Sequence, residues 1–361
     1  TLGTATLTVG AADGGGSFDG VISGTGGLTK VGTGTQLLRT RETGMMTFPN
    51  TYTGGTAING GILDVEEDGN LGDPTGMLSF DGGTLRVNGA EAGVNSTRAV
   101  ILNVGGGTID AGDMSAVTFN NVVSGVGSIT KEGLGNLVFD AANTYTGDTT
   151  VNRGVLQLEQ NGRIADASHL IVNAPGVFNL NNVNDAVNGL TGNGEVELGT
   201  GRLTVGAADG DGDFSGVILG DGGITKAGTG LQRLSGANTY LGSTGLNNGV
   251  LEVSLNANLG DLASPLVFDG GTLRTTASFA FGRNPVLGAG GGAIDTMTGT
   301  TLEQTDPISG VGGLTKLGTG TLRLLASNVY TGATQINAGT VEWGAVERLS
   351  NATDVHVAAG A

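Results

Sequence analysis

The stretch GGLTKVGTG at residues 26–34, followed by NTYTGGTAINGGILDV at residues 50–65, decides the fold of this chain. The same pattern returns three more times, and each copy places one lysine and one tyrosine at a fixed position. The chain has no other residue of either type: Lys30, Lys131, Lys226 and Lys316; Tyr52, Tyr145, Tyr240 and Tyr330. Repeats of this length predict structural units that stack and pack only against their neighbours.

The shared positions divide the chain into four repeat blocks, at residues 24–73, 125–168, 220–264 and 310–354. A longer duplication lies over them, because LTVGAADGGGSF at residue 7 returns as LTVGAADGDGDF at residue 203, which relates residues 1–196 to residues 197–361. We expect a single domain over 1–361. The second copy of the ASHLIVNAPGVFNL pattern breaks off at Ala361, so we also expect the chain to be a fragment of a longer array.

The composition fits repeated short strands joined by glycine turns. Glycine accounts for 71 of 361 residues, and aromatic residues for only 4%. A hydrophobic content of 38%, arranged in columns, argues against disorder. A net charge of -17 argues against a nucleic-acid partner, since phosphate binding needs clustered cations. The absence of cysteine suits export, and no apolar run is long enough for membrane insertion.

Alternating apolar residues flank an Asn-x-Gly tripeptide in every block, as in TAI at 56–58, NGG at 59–61 and ILDV at 62–65. Residues two apart lie on one face of a strand, and Asn and Gly tolerate the sharp corner between two strands. The predicted inward columns are Ile58, Val151, Leu246 and Ile336; Leu63, Leu156, Leu251 and Val341; Val65, Leu158, Val253 and Trp343. Stacking such layers predicts an all-β parallel β-helix, with antiparallel sandwiches as the alternative.

The repeated lysines and tyrosines have a structural and a functional interpretation. The structural one is favoured: the lysine stem covers apolar surface while its ammonium group faces water, and the tyrosine places its hydroxyl at the surface. The functional alternative is a row of ligand contacts.

The pattern GGLTKxGxGxLxL followed by ANTYTGxTxINxGxLxV resembles the autotransporter-associated β-strand repeat of bacterial type V secreted passenger domains. The segments FDGGTLR at residue 80 and GGGTID at residue 105 resemble the coils between such repeats. The resemblance implies a right-handed β-helical passenger displayed on the cell surface outside the outer membrane. It further implies a function in adhesion, autoaggregation, biofilm formation or virulence. The implied partner is a protein or glycan on the surface of a host or neighbouring cell, or a second copy of the chain.

One insertion interrupts the repeat. The segment between Lys30 and Tyr52 is eight residues longer than its counterparts. Loops that project from a solenoid commonly carry binding functions, and methionine beside arginine suits a contact surface. The insertion therefore supplies the candidate binding residues Arg39, Arg41, Glu42, Met45, Met46 and Phe48. The alternative is a tolerated loop without a role.

Signals for catalysis and cofactors are weak. No lysine lies in a phosphate-binding GK[ST] loop, no serine-protease nucleophile motif is present, and we expect no cofactor. Asp209, Asp211 and Asp213 have the spacing of calcium ligands, but an ordinary acidic turn is the favoured interpretation. Three functions stay open: a non-enzymatic adhesin or self-associating passenger, a structural stalk that assists secretion and presents a distal domain, and a polysaccharide-active β-helix enzyme.

Overall fold

The computed structural model describes residues 1–39, 41–43, 46–88, 93–344 and 354–359. The chain divides into two compact units, Thr1–Asn181 and Asn182–Ala361. Each unit is a parallel β-solenoid, and the described residues make about 16 turns in all. The predicted all-β parallel solenoid is confirmed, and the alternative of antiparallel sandwiches is wrong. Among the described residues, no helix is long and apolar enough to span a membrane.

The strands of the first unit stack into parallel sheets, one strand per sheet from most turns. The first sheet contains Leu7–Val9, Leu28–Lys30, Thr56–Ile58, Leu78–Phe80, Val100–Leu102 and Val123–Gly125. The second contains Gly16–Phe18, Thr35–Leu38, Ile62–Val65, Thr84–Val87, Gly107–Ala111, Ile129–Glu132, Thr149–Val151 and His169–Val172. The third contains Gly93–Ser96, Ala116–Phe119, Asn136–Phe139, Val155–Leu158 and Val177–Asn179. Ser23–Gly24 and Thr51–Tyr52 form a short further pair.

The second unit is built in the same way. One sheet contains Asp185–Val187, Arg202–Val205, Gly223–Lys226, Thr244–Leu246, Leu266–Phe268, Val286–Leu287 and Ser309–Gly310. Another contains Gly189–Gly192, Gly212–Phe214, Leu231–Leu234, Val250–Val253, Thr272–Thr275, Gly292–Thr296, Leu314–Leu317, Thr334–Ile336 and Val355–Val357. The remaining strands are Glu195–Glu197 with Val217–Leu219, and Phe279–Phe281, Thr301–Gln304, Thr321–Leu324 and Thr340–Trp343.

The predicted inward columns form the core of both units. Ile58, Leu63 and Val65 are fully buried, as are their counterparts in the second and third blocks. The corner between the two strands turns at the glycine of Asn-x-Gly, with φ of 58° at Gly61 and 62° at Gly154. An added Cβ at Gly154 would lie 2.4 Å from the carbonyl oxygen of Gly135, so the stacked corners also require glycine.

One member of these columns departs from the prediction. Trp343 was expected to point inward, but its side chain is 42% exposed, whereas Val341 on the same strand is buried. Thr340–Trp343 is the last strand of its sheet among the described residues, so no further described strand stacks over the indole.

Candidate functional site

The repeated lysines are buried cations and not surface residues. Lys30 is fully buried, and its Nζ donates to the carbonyl oxygens of Val31 at 2.7 Å, Gly32 at 3.3 Å and Gly60 at 3.2 Å. The other three lysines are equally buried and also donate to carbonyls of the adjoining corners. The expected ammonium in water is therefore wrong, because backbone carbonyls replace the water. Lys30, Lys131 and Lys316 also donate to a carbonyl of the stacked corner, whereas Lys226 donates to carbonyls of its own turn.

Burial also changes the titration of these lysines. It lowers the pKa of Lys131 to about 8, although the nearby carboxylates of Asp110 and Glu132 act to raise it. Burial likewise lowers the pKa of Lys316 to about 8, against the effect of Asp295. A lysine closed off by backbone has no access to a partner molecule, so this position does not form a ligand contact.

The repeated tyrosines are buried as well, which contradicts the expected surface hydroxyl. The Tyr52 hydroxyl lies 2.6 Å from the hydroxyl of Thr56, and the Thr56 hydroxyl donates to the carbonyl of Leu71 at 3.0 Å. The same Tyr-to-Thr hydrogen bond occurs in the other three blocks. Burial raises the pKa of Tyr52 to about 12, with Thr56 and Arg98 acting in the opposite direction.

The asparagine two residues before each tyrosine links successive turns. Asn50 accepts a hydrogen bond from the Ile22 backbone at 2.8 Å and donates to the Asn70 carbonyl at 2.8 Å. Asn143, Asn238 and Asn328 accept the corresponding backbone bond in their blocks. The NTYTGGT motif is thus a set of buried polar contacts that fix the stacking, and this accounts for its repetition without invoking a ligand.

Two buried arginines went unnoticed in the sequence. Arg98 donates to the carbonyl of Gly72 at 2.5 Å and to the Asp68 carboxylate at 2.5 Å. Arg283 donates to the carbonyls of Gly260 at 2.7 Å and Asp261 at 2.6 Å. Each therefore caps the end of a short 3-10 turn, Asp68–Leu71 or Asn256–Leu259. Neither arginine lies in the Lys-to-Tyr motif, which is why the repeat pattern did not reveal them.

Opposite charges alternate across successive strands on the outer face of the second unit. Arg233 pairs with Asp213 at 3.1 Å and with Glu252 at 2.7 Å, and Arg274 pairs with Asp295 at 2.8 Å and with Glu252 at 3.7 Å. The strand register places these five residues in one column. The column is an ion-pair network, and networks contribute more to stability than isolated surface pairs do.

The insertion forms an antiparallel hairpin of Arg41–Thr43 with Met46–Phe48, in which Arg41 lies opposite Phe48. It is the only antiparallel pairing within the described part of the chain. The Phe48 side chain is 40% exposed. Met45 lies outside the described residues, and the backbone of Arg41, Glu42 and Met46 is described without their side chains.

Arg39, at the base of this hairpin, has partners within the chain. Its Nη1 lies 3.1 Å from Glu66 and 3.7 Å from Asp64. The structure thus brings four of the predicted contact residues, Arg41, Glu42, Met46 and Phe48, together in one element. Arg39 is anchored beside that element to the adjoining turn.

The acidic turn proposed as a weak calcium site has other contacts. Asp209 accepts from the Thr229 backbone at 2.7 Å, Asp211 accepts from the Leu231 backbone at 2.6 Å, and Asp213 pairs with Arg233. Each carboxylate reaches a different point on the next turn. Within the described ranges, no group of three or more His, Cys, Asp or Glu residues could hold a metal ion.

Shallow clefts occur at one corner of each unit. The one in the second unit encloses about 310 Å³ and is lined by small residues such as Gly270, Gly291, Gly313 and Thr315. The cleft in the first unit encloses about 110 Å³ and is lined similarly. Neither has an ionisable side chain in its lining, and neither therefore contains the clustered acids that cleavage of a polysaccharide requires.

Comparison with known proteins agrees with this architecture. The family model described as Passenger-associated-transport-repeat matches residues 28–65, 129–158, 224–253 and 314–342. The protein named Adhesin BmaC autotransporter, from Brucella suis biovar 1 (strain 1330), is 34% identical over 277 residues, which is 69% of this chain and 8% of that protein. The protein named Probable autotransporter YfaL, from Escherichia coli (strain K12), is 28% identical over 419 aligned positions, covering 99% of this chain and 32% of that protein.

No solved structure matches the chain. The chain spans 8% and 32% of the two curated relatives, so it corresponds to only part of each. Four matched repeats within a parallel β-solenoid, together with two autotransporter relatives, identify the family. The chain belongs to the repeat-containing passenger domains of bacterial autotransporters.

Proposed function

We propose that this chain is part of a non-enzymatic adhesin displayed on the cell surface, and that it acts by contact with another surface. The proposal is supported by the passenger repeats and by the relative that is named an adhesin. It is also supported by the chemistry of the repeat, because the buried lysines, tyrosines and asparagines are all engaged in holding turns together. Their uniform engagement leaves recognition to features that depart from the repeat.

The hairpin at residues 41–48 is the observation that carries the proposal. It is an antiparallel element added to an otherwise parallel array, and it contains arginine, methionine and an exposed phenylalanine. Short parallel strands in the solenoid offer similar shallow polar faces, whereas a hairpin presents a distinct shape. The partner would be a protein or glycan on a host or neighbouring cell, or a second copy of the chain.

Removal of residues 40–47 tests this function in the whole autotransporter displayed on cells. The deletion restores the length found in the second block and retains Arg39, which pairs with Glu66. We expect the passenger to fold as before, by circular dichroism and protease resistance of the displayed protein, and adhesion or autoaggregation to fall. Phe48→Ala is the matched point variant, since it keeps the hairpin and removes its exposed ring.

The alternative role is a stalk that assists secretion and presents a distal domain. If the trimmed protein folds and adheres as well as the parent, the hairpin has no contact role. A deletion of all 361 residues would then separate the remaining possibilities. Loss of surface display would favour a secretion role, whereas loss of adhesion with display intact would favour contacts along the solenoid itself.

A further inference from the structure

Three successive turns of the first unit place Met114, Leu134 and Arg153 at one corner. The turns are stacked by backbone hydrogen bonds, from Asn136 to Ser115 at 3.0 Å and from Val155 to Gly135 at 3.3 Å. Met114 is 76% exposed and Leu134 is 57% exposed. The Arg153 side chain is also exposed. Large apolar groups beside a cation at an exposed corner have no function in the stacking of the turns.

The other three blocks have a different surface where Leu134 lies. Their residues at this position are Thr33, Thr229 and Thr319. The backbone N–H groups of Thr33 and Thr229 donate to the carboxylates of Asp13 at 2.8 Å and Asp209 at 2.7 Å, and the hydroxyls of Thr319 and Thr298 lie 2.6 Å apart. The second block has Met114 and Leu134 here in place of these polar side chains, and its leucine is exposed.

Arg153 also replaces a small residue. Lys131 donates to the Arg153 carbonyl, as Lys30 does to that of Gly60 and Lys316 to that of Ala338, which fixes the equivalence of the three positions. Lys131 therefore contacts only the backbone carbonyl of Arg153, and the Arg153 side chain has no part in this contact.

Arg153 stands apart from the other cations. The remaining arginines with described side chains all have a hydrogen bond or an ion pair: Arg39, Arg86, Arg98, Arg163, Arg202, Arg233, Arg274, Arg283 and Arg323. All four lysines are buried and bonded to carbonyls. The protein has a net charge of -17. Among its described side chains, Arg153 is the one cation that has neither a hydrogen bond nor an ion pair.

An exposed acid lies at the opposite end of the same corner. Asp113 immediately precedes Met114, and its carboxylate has no hydrogen-bond or ion-pair partner among the described residues. The order along the corner is Asp113 with Met114, then Leu134, then Arg153. Turns of a parallel solenoid are about 4.8 Å apart, so the acid and the base are separated by roughly 10 Å with apolar groups between them.

We propose that this corner is a contact surface for a second copy of the chain, related to the first by a two-fold axis through Leu134. Such an axis places Arg153 of each copy against Asp113 of the other and apposes the two leucines. A surface with its acid and base at opposite ends of an apolar strip is self-complementary, as an interface between identical subunits requires. The proposal deepens the self-association included in the proposed function and assigns it to a site separate from the hairpin.

The contact is small and is weak for one pair of molecules, because stable interfaces bury on the order of 1,200 Å² or more. Display of many copies on one surface raises the effective concentration of the second contact once a first has formed. The corner therefore suits cell-to-cell association by many weak contacts.

Sedimentation equilibrium of the purified 361-residue chain tests the proposal with two charge variants. Asp113→Arg gives a corner with two cations, and Arg153→Asp gives a corner with two acids. We expect each variant alone to associate about tenfold more weakly than the parent, since like charges would meet at both ends. An equimolar mixture of the two should associate as the parent does, because each corner then meets its complement.

Matched substitutions at the apolar positions give a second readout. Leu134→Thr installs the residue of the other three blocks, and Met114→Gly installs the residue of the corresponding turn at Gly299. Met114 has a φ of 61°, which glycine adopts freely. The double variant should keep its thermal stability and lose association. Three results would each overturn the proposal. The parent could stay monomeric at all concentrations, the mixture of charge variants could associate no more strongly than either variant alone, or the double variant could associate as strongly as the parent. The hairpin-trimmed protein should associate like the parent, so failure of either site can be recognised separately.

Discussion

At the residue scale, the repeated lysine shows how a backbone can replace solvent. A lysine is rarely buried completely, so an ammonium group in water is the expectation from the sequence. Three carbonyls of two stacked corners surround the Nζ of Lys30 instead. The carbonyls belong to a neighbouring turn as well as to the lysine's own, so they cannot be found from one block alone. One sequence feature does point to a structural role: all four blocks have the lysine, whereas the residue after it varies freely. That next residue is Val31, Glu132, Ala227 or Leu317.

The lowered pKa of Lys131 predicts a pH dependence of stability. Burial lowers its pKa from 10.5 to about 8. Between these values the unfolded chain holds a proton that the folded chain has released, so stability rises with pH through this window. We expect the unfolding free energy of the parent relative to Lys131→Met to increase by on the order of 1 to 2 kcal/mol between about pH 7.5 and 9.5. Chemical denaturation at several pH values measures it, and a decrease would contradict the assignment.

The tyrosine pair predicts unequal effects of two conservative substitutions. Because the Thr56 hydroxyl donates its proton to the Leu71 carbonyl, the Tyr52 hydroxyl must donate to Thr56. Tyr52→Phe removes one donor and should cost about 1 kcal/mol. Thr56→Val leaves both the buried tyrosine hydroxyl and the Leu71 carbonyl without partners, and should cost on the order of 1 kcal/mol more. Urea denaturation compares them, and equal losses would mean that the hydrogen bond runs in the other direction.

At the element scale, the sequence predicted the strands because their side chains alternate. Thr56–Ile58 and Ile62–Val65 follow from period-two spacing and from the glycine corner between them. The ion-pair network could not be predicted from the sequence, because the turns vary in length. Arg233 and Glu252 are 19 positions apart, whereas Arg86 and Asp110 are 24 apart. A column with changing spacing has no fixed period, and only the strand register reveals it. The hairpin was predicted as an insertion, but its antiparallel pairing was not.

The inward columns predict which strand positions tolerate a charge. Ile58, Val151 and Leu251 are fully buried, and replacement of any one by Asp would place a carboxylate without a partner in the core. We expect a loss of several kcal/mol in each case. Gln335→Asp is the control, since Gln335 lies between the inward positions of its strand and is exposed. Thermal melts by circular dichroism should show a large shift for the first three and almost none for the control.

At the scale of the whole molecule, acidic residues outnumber basic ones by 33 to 16. Most described arginines form ion pairs or hydrogen bonds within the chain. The acidic residues in excess of these basic partners give the chain its negative charge. A net charge of -17 and an isoelectric point near 4.3 make two copies repel each other at neutral pH. The acidic surface thus keeps single chains apart in solution, and contact between copies depends on conditions that screen this repulsion.

The balance between repulsion and local attraction predicts how salt affects self-association. Added salt weakens the two proposed pairs of Asp113 with Arg153, each worth at most about 1 kcal/mol at an exposed site. It also screens the mutual repulsion of two chains that each carry a charge of -17, and the Debye length falls from about 30 Å at 0.01 M to about 8 Å at 0.15 M. The repulsion involves many more charges, so we expect association at pH 7 to strengthen over this range. Light scattering against salt concentration measures it. Arg153→Asn should show the same direction of change from a weaker starting point, whereas association that weakens steadily with salt would mean that opposite charges dominate the contact.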